Sequence, residues 1–303
     1  VTATEASLAP AAPGVLQICK QAVGSETVFE ILGVNQSNEL VRFRSNAPGT
    51  LIGAPIPITG LPDVDDYIRA IDRRPATGEI FGFGTDDRIY RINPNTGVAT
   101  PVGAAIPNTL PDEFVGFDFN PVVDRIRLNN SENFRVNPND GTFIQDTNLT
   151  APAAASAYTN NVNGAVSTTL YTIVGNTDQL YIVNPPNAGT SNLVGSLGVD
   201  VGAVNGFDIF GFNDTALFAA AVGNATTSTL FSINLQTGAA TSLGAIGAVN
   251  QLRGMTIVGS ANLGPSGLDN RIFRFRIGAN IYEVPVGQCS GPITLEEGNY
   301  TIE

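Results

Sequence analysis

A unit of four strands and three turns recurs along the chain. Its clearest copy occupies residues 67–103, YIRAIDRRPATGEIFGFGTDDRIYRINPNTGVATPVG. A period of about 40–50 residues made of short strands and turns restricts the chain to propeller blades or a comparable array, because one unit cannot bury its apolar face alone and must stack on its neighbours. The expected fold class is therefore all-β.

The turn after the third strand is the first ruler. It reads NPNTG at 93–97, NPNDG at 137–141, NPPNAG at 184–189 and NLQTG at 234–238, with a degenerate SNAPG at 45–49. Asn opens a type I turn, and Gly near its end takes the positive φ that closes it. Alternating strands precede the turn (ELVRF at 39–43, RIYRI at 88–92, QLYIV at 179–183, TLFSI at 229–233). Short strands ending in Gly follow it (LIG at 51–53, TPVG at 100–103, NLVG at 192–195, TSLG at 241–244).

The first strand of each unit is the second ruler. RAID at 69–72, VGFD at 115–118, SAYT at 156–159, NGFD at 205–208 and RGMT at 253–256 align without gaps. The second place is Gly or Ala, the third large and apolar, the fourth Asp or Thr. Alternation sends the large residue to one face, and a small residue suits a crowded innermost strand. Five such strands are present, but the fifth, at 251–258, lacks partners downstream, while strands at 28–34, 39–43 and 50–53 lack a first strand. The C-terminal strand is therefore expected to complete the N-terminal blade, which also removes exposed sheet edges. Residues 28–258 read as a five-bladed β-propeller, with six blades as the alternative if the linkers near Leu61 and Pro107 conceal one.

Composition narrows the function classes. The net charge of −12, with 15 Lys and Arg against 27 Asp and Glu, opposes nucleic-acid binding, which needs clustered cations. It also opposes an anionic membrane surface, and no apolar run is long enough to span a bilayer. With no His in the chain, Ser-His-Asp and Cys-His catalysis and imidazole metal sites are excluded. No cofactor is expected. No signal peptide is visible, since Val1 starts directly in a β-like VTATEA, and a chain with no initiator Met is expected to have been processed or trimmed. Six Asn-x-Ser/Thr sequons begin at Asn35, Asn129, Asn148, Asn213, Asn224 and Asn299, leaving glycans as possible partners.

The stretches YIRAIDRRPATGEIFGFGTDDRIYRINPNTGVATPVG, GFDFNPVVDRIRL, AAASAYTNN and LGVDVGAVNGFDI resemble domain-of-unknown-function family 4394 over about residues 28–258. The resemblance implies a secreted, mostly bacterial β-rich repeat domain and no activity. Outside that region, IFRFRIGANIYEVPVGQCSGPITLEEGNYTIE at 272–303 resembles the latter half of small immunoglobulin-like or prealbumin-like modules of bacterial surface proteins. Their earlier half typically holds a strand like VLQICK at 15–20. The resemblance implies a small β-sandwich split by the propeller, formed from residues 1–27 and 259–303, with residues 262–269 as linker. Cys19 and Cys289 then face each other as a disulfide in an oxidising compartment; two unrelated thiols are the alternative.

Both chain ends read as unfinished strands. Written tail to head, TIE at 301–303 followed by VTATEA at 1–6 makes one alternating strand. Val1, Thr2, Ala3, Thr4, Glu5, Tyr300 and Ile302 are accordingly expected to serve assembly, one subunit giving a strand to the next by β-augmentation. The alternative is a Pro/Ala-rich tail without structure. Among candidate chemical groups, Asp72, Asp118 and Asp208 share the fourth motif place and are expected to converge near the channel mouth. They suit turn capping first, a cation second and paired-carboxylate glycosidase chemistry third. The clusters Asp63, Asp65, Asp66 and Asp86, Asp87 read as solvated turns, and Arg271, Arg274 and Arg276 as a strand face toward solvent or toward a neighbour's carboxylates. The expected function is an extracellular structural protein, non-enzymatic, polymerising with itself head-to-tail into a bacterial surface fibre. A secreted carbohydrate- or ligand-binding propeller is the alternative, and a glycosidase the third reading, weakened by the absence of Trp.

Overall fold

The computed structural model describes residues 14–16, 26–106, 115–247, 249–263, 272–277, 280–285 and 293–295. These are almost all strand and turn, with a single 3₁₀ turn at Pro186–Ala188. The chain divides into two compact units, Glu30–Val258 and the pair Val1–Phe29 with Gly259–Glu303.

In the larger unit the recurring turns fold as their residues dictate. Asn93 Oδ1 accepts the backbone N–H groups of Asn95 at 2.9 Å and Thr96 at 3.2 Å. Asn234 does the same for Gln236 at 2.9 Å and Thr237 at 3.0 Å. Gly97 and Gly238 close these turns at φ 73° and 83°, a region that strains any residue with a Cβ. The degenerate copy departs from this pattern. At 45–49 the chain turns more tightly, and Ala47–Leu51 is already the next strand, so Gly49 needs no positive φ.

Five antiparallel sheets result. The first blade is Leu252–Leu263, Glu26–Asn35, Glu39–Arg44 and Ala47–Leu51, with Ile56–Pro57 added beside Glu39–Arg44. The second is Ile68–Arg73, Ile80–Gly84, Ile89–Ile92 and Ala99–Val102; the third is Gly116–Asn120, Arg125–Asn129, Asn133–Val136 and Phe143–Gln145. The fourth is Ala155–Tyr158, Leu170–Val174, Gln179–Val183 and Ser191–Ser196; the fifth is Val201–Phe210, Thr215–Val222, Thr229–Ile233 and Ala240–Ala245. The sheets stand in a ring as a five-bladed β-propeller. The C-terminal strand does complete the N-terminal blade, and it runs to Leu263, into the segment expected to be linker. No sixth blade stands among the described residues of the larger unit: the link near Leu61 holds only the short Ile56–Pro57 strand and a bridge from Thr59 to Val98, and the link at Pro107 lies outside the described residues.

The core lies between adjacent blades. Phe81, Phe83, Phe117, Phe119, Ile126 and Phe134 join the second blade to the third, with Phe81 and Phe119 edge-to-face at 5.3 Å. Ala157, Ile173, Leu180, Ile209, Phe218 and Phe231 join the fourth to the fifth. The small second motif place has the expected cause. A Cβ on Gly206 would lie 2.5 Å from the Met255 nitrogen, and one on Gly254 would lie 2.9 Å from Ala70 Cα. The innermost strands touch backbone to backbone.

In the smaller unit, Gly14–Leu16 pairs antiparallel with Ile293–Leu295, and Ile272–Ile277 pairs antiparallel with Asn280–Pro285. A strand that precedes the propeller is thus joined to one that follows it. Arg274 stands opposite Glu283 in the second pair. Val1, Thr2, Ala3, Thr4, Glu5, Cys19, Arg271, Cys289, Tyr300 and Ile302 lie outside the described residues.

A buried carboxylate cluster on the propeller axis

The fourth motif place ends three of the five innermost strands in Asp, and ring formation brings those ends together. One carboxylate oxygen each from Asp72, Asp118 and Asp208 lies within 4.8 Å of the others. The residues are 1%, 0% and 2% exposed. The convergence expected from the alignment therefore occurs, but in the interior and not at an open mouth.

Their hydrogen bonds run between blades. Asp72 Oδ2 accepts the Phe119 N–H at 2.9 Å, and Asp208 Oδ2 accepts the Ile257 N–H at 2.6 Å. Thr256 Oγ1 lies 3.0 Å from Asp72 Oδ1 and 3.0 Å from Asp208 Oδ2, and it accepts the Arg73 N–H at 3.2 Å. Its one proton serves one carboxylate at a time. Both oxygens of Asp118 and Oδ1 of Asp208 are buried and make no hydrogen bond of ordinary geometry, although the Tyr158 backbone N–H lies near Asp118 and the Asn161 side chain near Asp208. The capping role expected for these Asp residues is thus overturned. Asp72 bonds across to the blades on either side, and the turn after Asp118 is capped by Asn120, whose Oδ1 accepts Val122 N–H at 3.0 Å.

Burial is the main cause that pushes the carboxyls of Asp72 and Asp118 well above the usual range, followed by repulsion from the neighbouring carboxylates. Burial likewise raises Asp208, against the opposing pull of the Ile257 N–H and the Thr256 hydroxyl. None of the ion pairs among the described residues includes any of the three. The neighbouring stretch of axis, lined by Ala70, Phe117, Ser156, Phe207 and Met255 among others, retains about 10 Å³ of free volume. That is room for one water at most. A sugar ring does not reach these carboxylates in this conformation.

The other acidic clusters behave differently from each other. Asp63, Asp65 and Asp66 form a surface turn: Asp66 Oδ2 accepts Asp63 N–H at 3.0 Å, and Asp66 Oδ1 accepts Thr85 Oγ1–H at 2.9 Å. Asp86 and Asp87 are more than a solvated turn. Asp86 accepts the hydroxyl of buried Tyr90 at 2.6 Å, and Asp87 pairs at 2.7 Å with Arg69, itself 3% exposed. Burial first, then the Asp86 bond, raises the Tyr90 hydroxyl above the ordinary tyrosine range.

Sequence reasoning missed a cleft of about 240 Å³ lined by Asn120, Arg125, Arg127, Arg135, Tyr158 and Asn187, among others. Its arginines come from strands on which they merely alternate with apolar residues, a weak signal. Arg127 and Arg135 are already held by Asp146, at 2.8 and 2.7 Å. Thr256 was also missed as a member of the axial cluster, although the motif alignment places it level with the three Asp residues.

Fold and site together define the class: a five-bladed β-propeller whose axis is plugged by a buried carboxylate cluster. The family described as "Domain of unknown function (DUF4394)" matches residues 39–256, and the chain belongs to that family. No curated protein matches the sequence. Among solved structures, a structural genomics protein of unknown function from Bacteroides thetaiotaomicron VPI-5482 is similar at a TM-score of 0.48 and 12% identity, over 96% of this chain and 76% of that one. That likeness is too slight to bear on function. The family match ends at residue 256 and does not reach the terminal segments after it, so it does not show their immunoglobulin-like or prealbumin-like character.

Proposed function

We propose that this chain is an extracellular structural protein that assembles head-to-tail into a fibre or surface filament, with the terminal unit as the linking element. One observation carries the reading: the described strands of the terminal unit form only two-stranded sheets, Gly14–Leu16 with Ile293–Leu295 and Ile272–Ile277 with Asn280–Pro285. An isolated two-stranded pair is marginal in water, and three or more strands are needed for independent stability. Among the described residues no third strand joins either pair, and an edge left unpaired would be a template for another strand. The alternating segment at 1–6 is the strand that would be given, its backbone supplying hydrogen bonds and its alternation setting register. A contact in which each subunit gives at one end and receives at the other is heterologous, and it grows an open filament when the rotation does not close.

The propeller suits a passive, rigid role in such an assembly. Closing its sheets in a ring leaves few edges free for unwanted pairing. Its axial carboxylates are sealed off, and the arginines of its cleft are engaged internally. No helix among the described residues is long and apolar enough to cross a membrane. Deleting residues 1–13 is expected to leave a folded propeller and abolish polymerisation. Negative-stain imaging and sedimentation of the two proteins test this. Filaments of unchanged symmetry from the truncated protein would show that propeller contacts, not strand exchange, build the fibre.

A further inference from the structure

We propose that Asp72, Asp118 and Asp208 hold a single calcium ion on the propeller axis, tying the second, third and fifth blades together where their innermost strands end. The first ground is geometric. The converging oxygens all lie within 4.8 Å of one another. A point between three such oxygens lies at most about 2.8 Å from each, so a small inward shift of the side chains brings all three to the roughly 2.3–2.6 Å of a calcium–oxygen bond. The second ground is independent of the clustering. Asp118 is fully buried, its carboxylate is directed into the cluster, and neither of its oxygens makes a hydrogen bond of ordinary geometry, the Tyr158 backbone N–H being only a loose neighbour. Asp208 Oδ1 likewise makes no hydrogen bond of ordinary geometry, with the Asn161 side chain beside its carboxyl. Buried polar atoms in native proteins are nearly always partnered, and an under-satisfied set aimed at one point is what a bound cation would satisfy.

A proton is the competing way to relieve the charge. It fits less well, because a proton on Asp118 serves one of its oxygens and leaves the other under-satisfied. A cation satisfies several such oxygens at once. No side-chain cation fills this role among the described residues. Arg69, Arg74 and Arg127, the buried arginines, are directed to Asp87, Asp124 and Asp146 respectively.

The donor set selects the metal. All ligands are oxygens, three carboxylates with the Thr256 hydroxyl beside them, and no imidazole exists in this chain. Such a set suits hard cations. Magnesium retains several waters and demands octahedral geometry, whereas calcium sheds its waters and accepts irregular, partly bidentate coordination. The adjoining axis leaves about 10 Å³, too little for a hydrated ion.

A buried ion exchanges slowly, so its presence is read from metal content and from folding. Protein unfolded in chelator and refolded with calcium, magnesium or neither is compared by elemental analysis and by melting temperature. About one calcium per chain, with a melting temperature raised by calcium and not by magnesium, is the expected result. Asp118→Asn is expected to lose the ion and the calcium response. A double change in the surface turn, Asp63→Asn with Asp65→Asn, is expected to keep both. If Asp118→Asn fails to fold, the wild-type refolding series decides alone. Absence of bound calcium and identical melting with or without it overturns the proposal, as does loss of binding in the surface-turn variant alone.

Discussion

At the scale of single residues, the buried arginines occur in partnered sets. Arg127 donates to Asp146 Oδ2 at 2.8 Å, to Asn133 Oδ1 at 2.8 Å and to Asn187 Oδ1 at 2.7 Å. Arg135 grips both oxygens of Asp146, at 2.7 and 2.8 Å. Burial alone would raise the Asp146 carboxyl, but the bonds from Arg135 and Arg127 outweigh it and hold the group below its usual range. A depressed carboxyl contributes stability above its unfolded pKa of about 3.9, and that contribution is lost as pH falls through the folded value. Removing one partner of a buried pair leaves the other charge uncompensated, so Asp146→Asn is expected to cost about 3 kcal/mol at neutral pH. The gap to wild type should narrow below about pH 4, where the unfolded wild-type chain takes up a proton at Asp146 that the native protein still excludes. Denaturant unfolding at both pH values checks this, and a gap that stays constant on acidification contradicts the assignment.

At the scale of elements, the decisive strand is Leu252–Leu263, which arrives last in sequence and pairs with Glu26–Asn35 near the start. It is fitted and not merely adjacent. Leu252 is fully buried, with its Cδ1 2.8 Å from where a Cβ on Gly33 would stand. Thr256 and the Ile257 N–H, on the same strand, engage Asp72 and Asp208 of two other blades. Leu252→Ala is expected to destabilise the propeller by about 2–5 kcal/mol through the cavity it leaves. Leu243→Ala, on an outermost strand at 39% exposure, should stay within about 0.5 kcal/mol of wild type. Equal melting of the two variants would mean that this strand does not close the ring.

At the scale of the whole molecule, the question is how the segments before and after the propeller are tied. The pairing of Leu16 with Ile293 brings a point three residues before Cys19 beside a point four residues after Cys289. A disulfide between them would close a loop of nearly the entire chain. Long loops carry the largest entropic effect in theory, on the order of 4–5 kcal/mol, with real values often smaller. Non-reducing peptide mapping is expected to recover the two cysteines in one cross-linked species, and reduction is expected to lower the unfolding midpoint. Two alkylatable thiols in the native protein would remove this tie from the assembly scheme.

Blade number, ring closure and turn chemistry were legible because each is written locally and then repeated. Asn93 and Gly97, or Asn234 and Gly238, specify a turn within five residues, and the orphaned first strand at 251–258 could pair only with the blade that lacked one. The second motif place was legible too, since the crowding at Gly206 and Gly254 follows from being innermost. What Asp72, Asp118 and Asp208 do was not legible. Alignment placed them at equivalent positions, but a turn cap and an axial ligand share one sequence pattern, as in Asp72 and Asp118, each three residues before a proline. Only the ring sets how far apart those strand ends lie, how deeply they are sealed and which neighbours' N–H groups reach them. Those are distances between segments far apart in the chain, set by the packing of five sheets around one axis, and tertiary structure alone decides them.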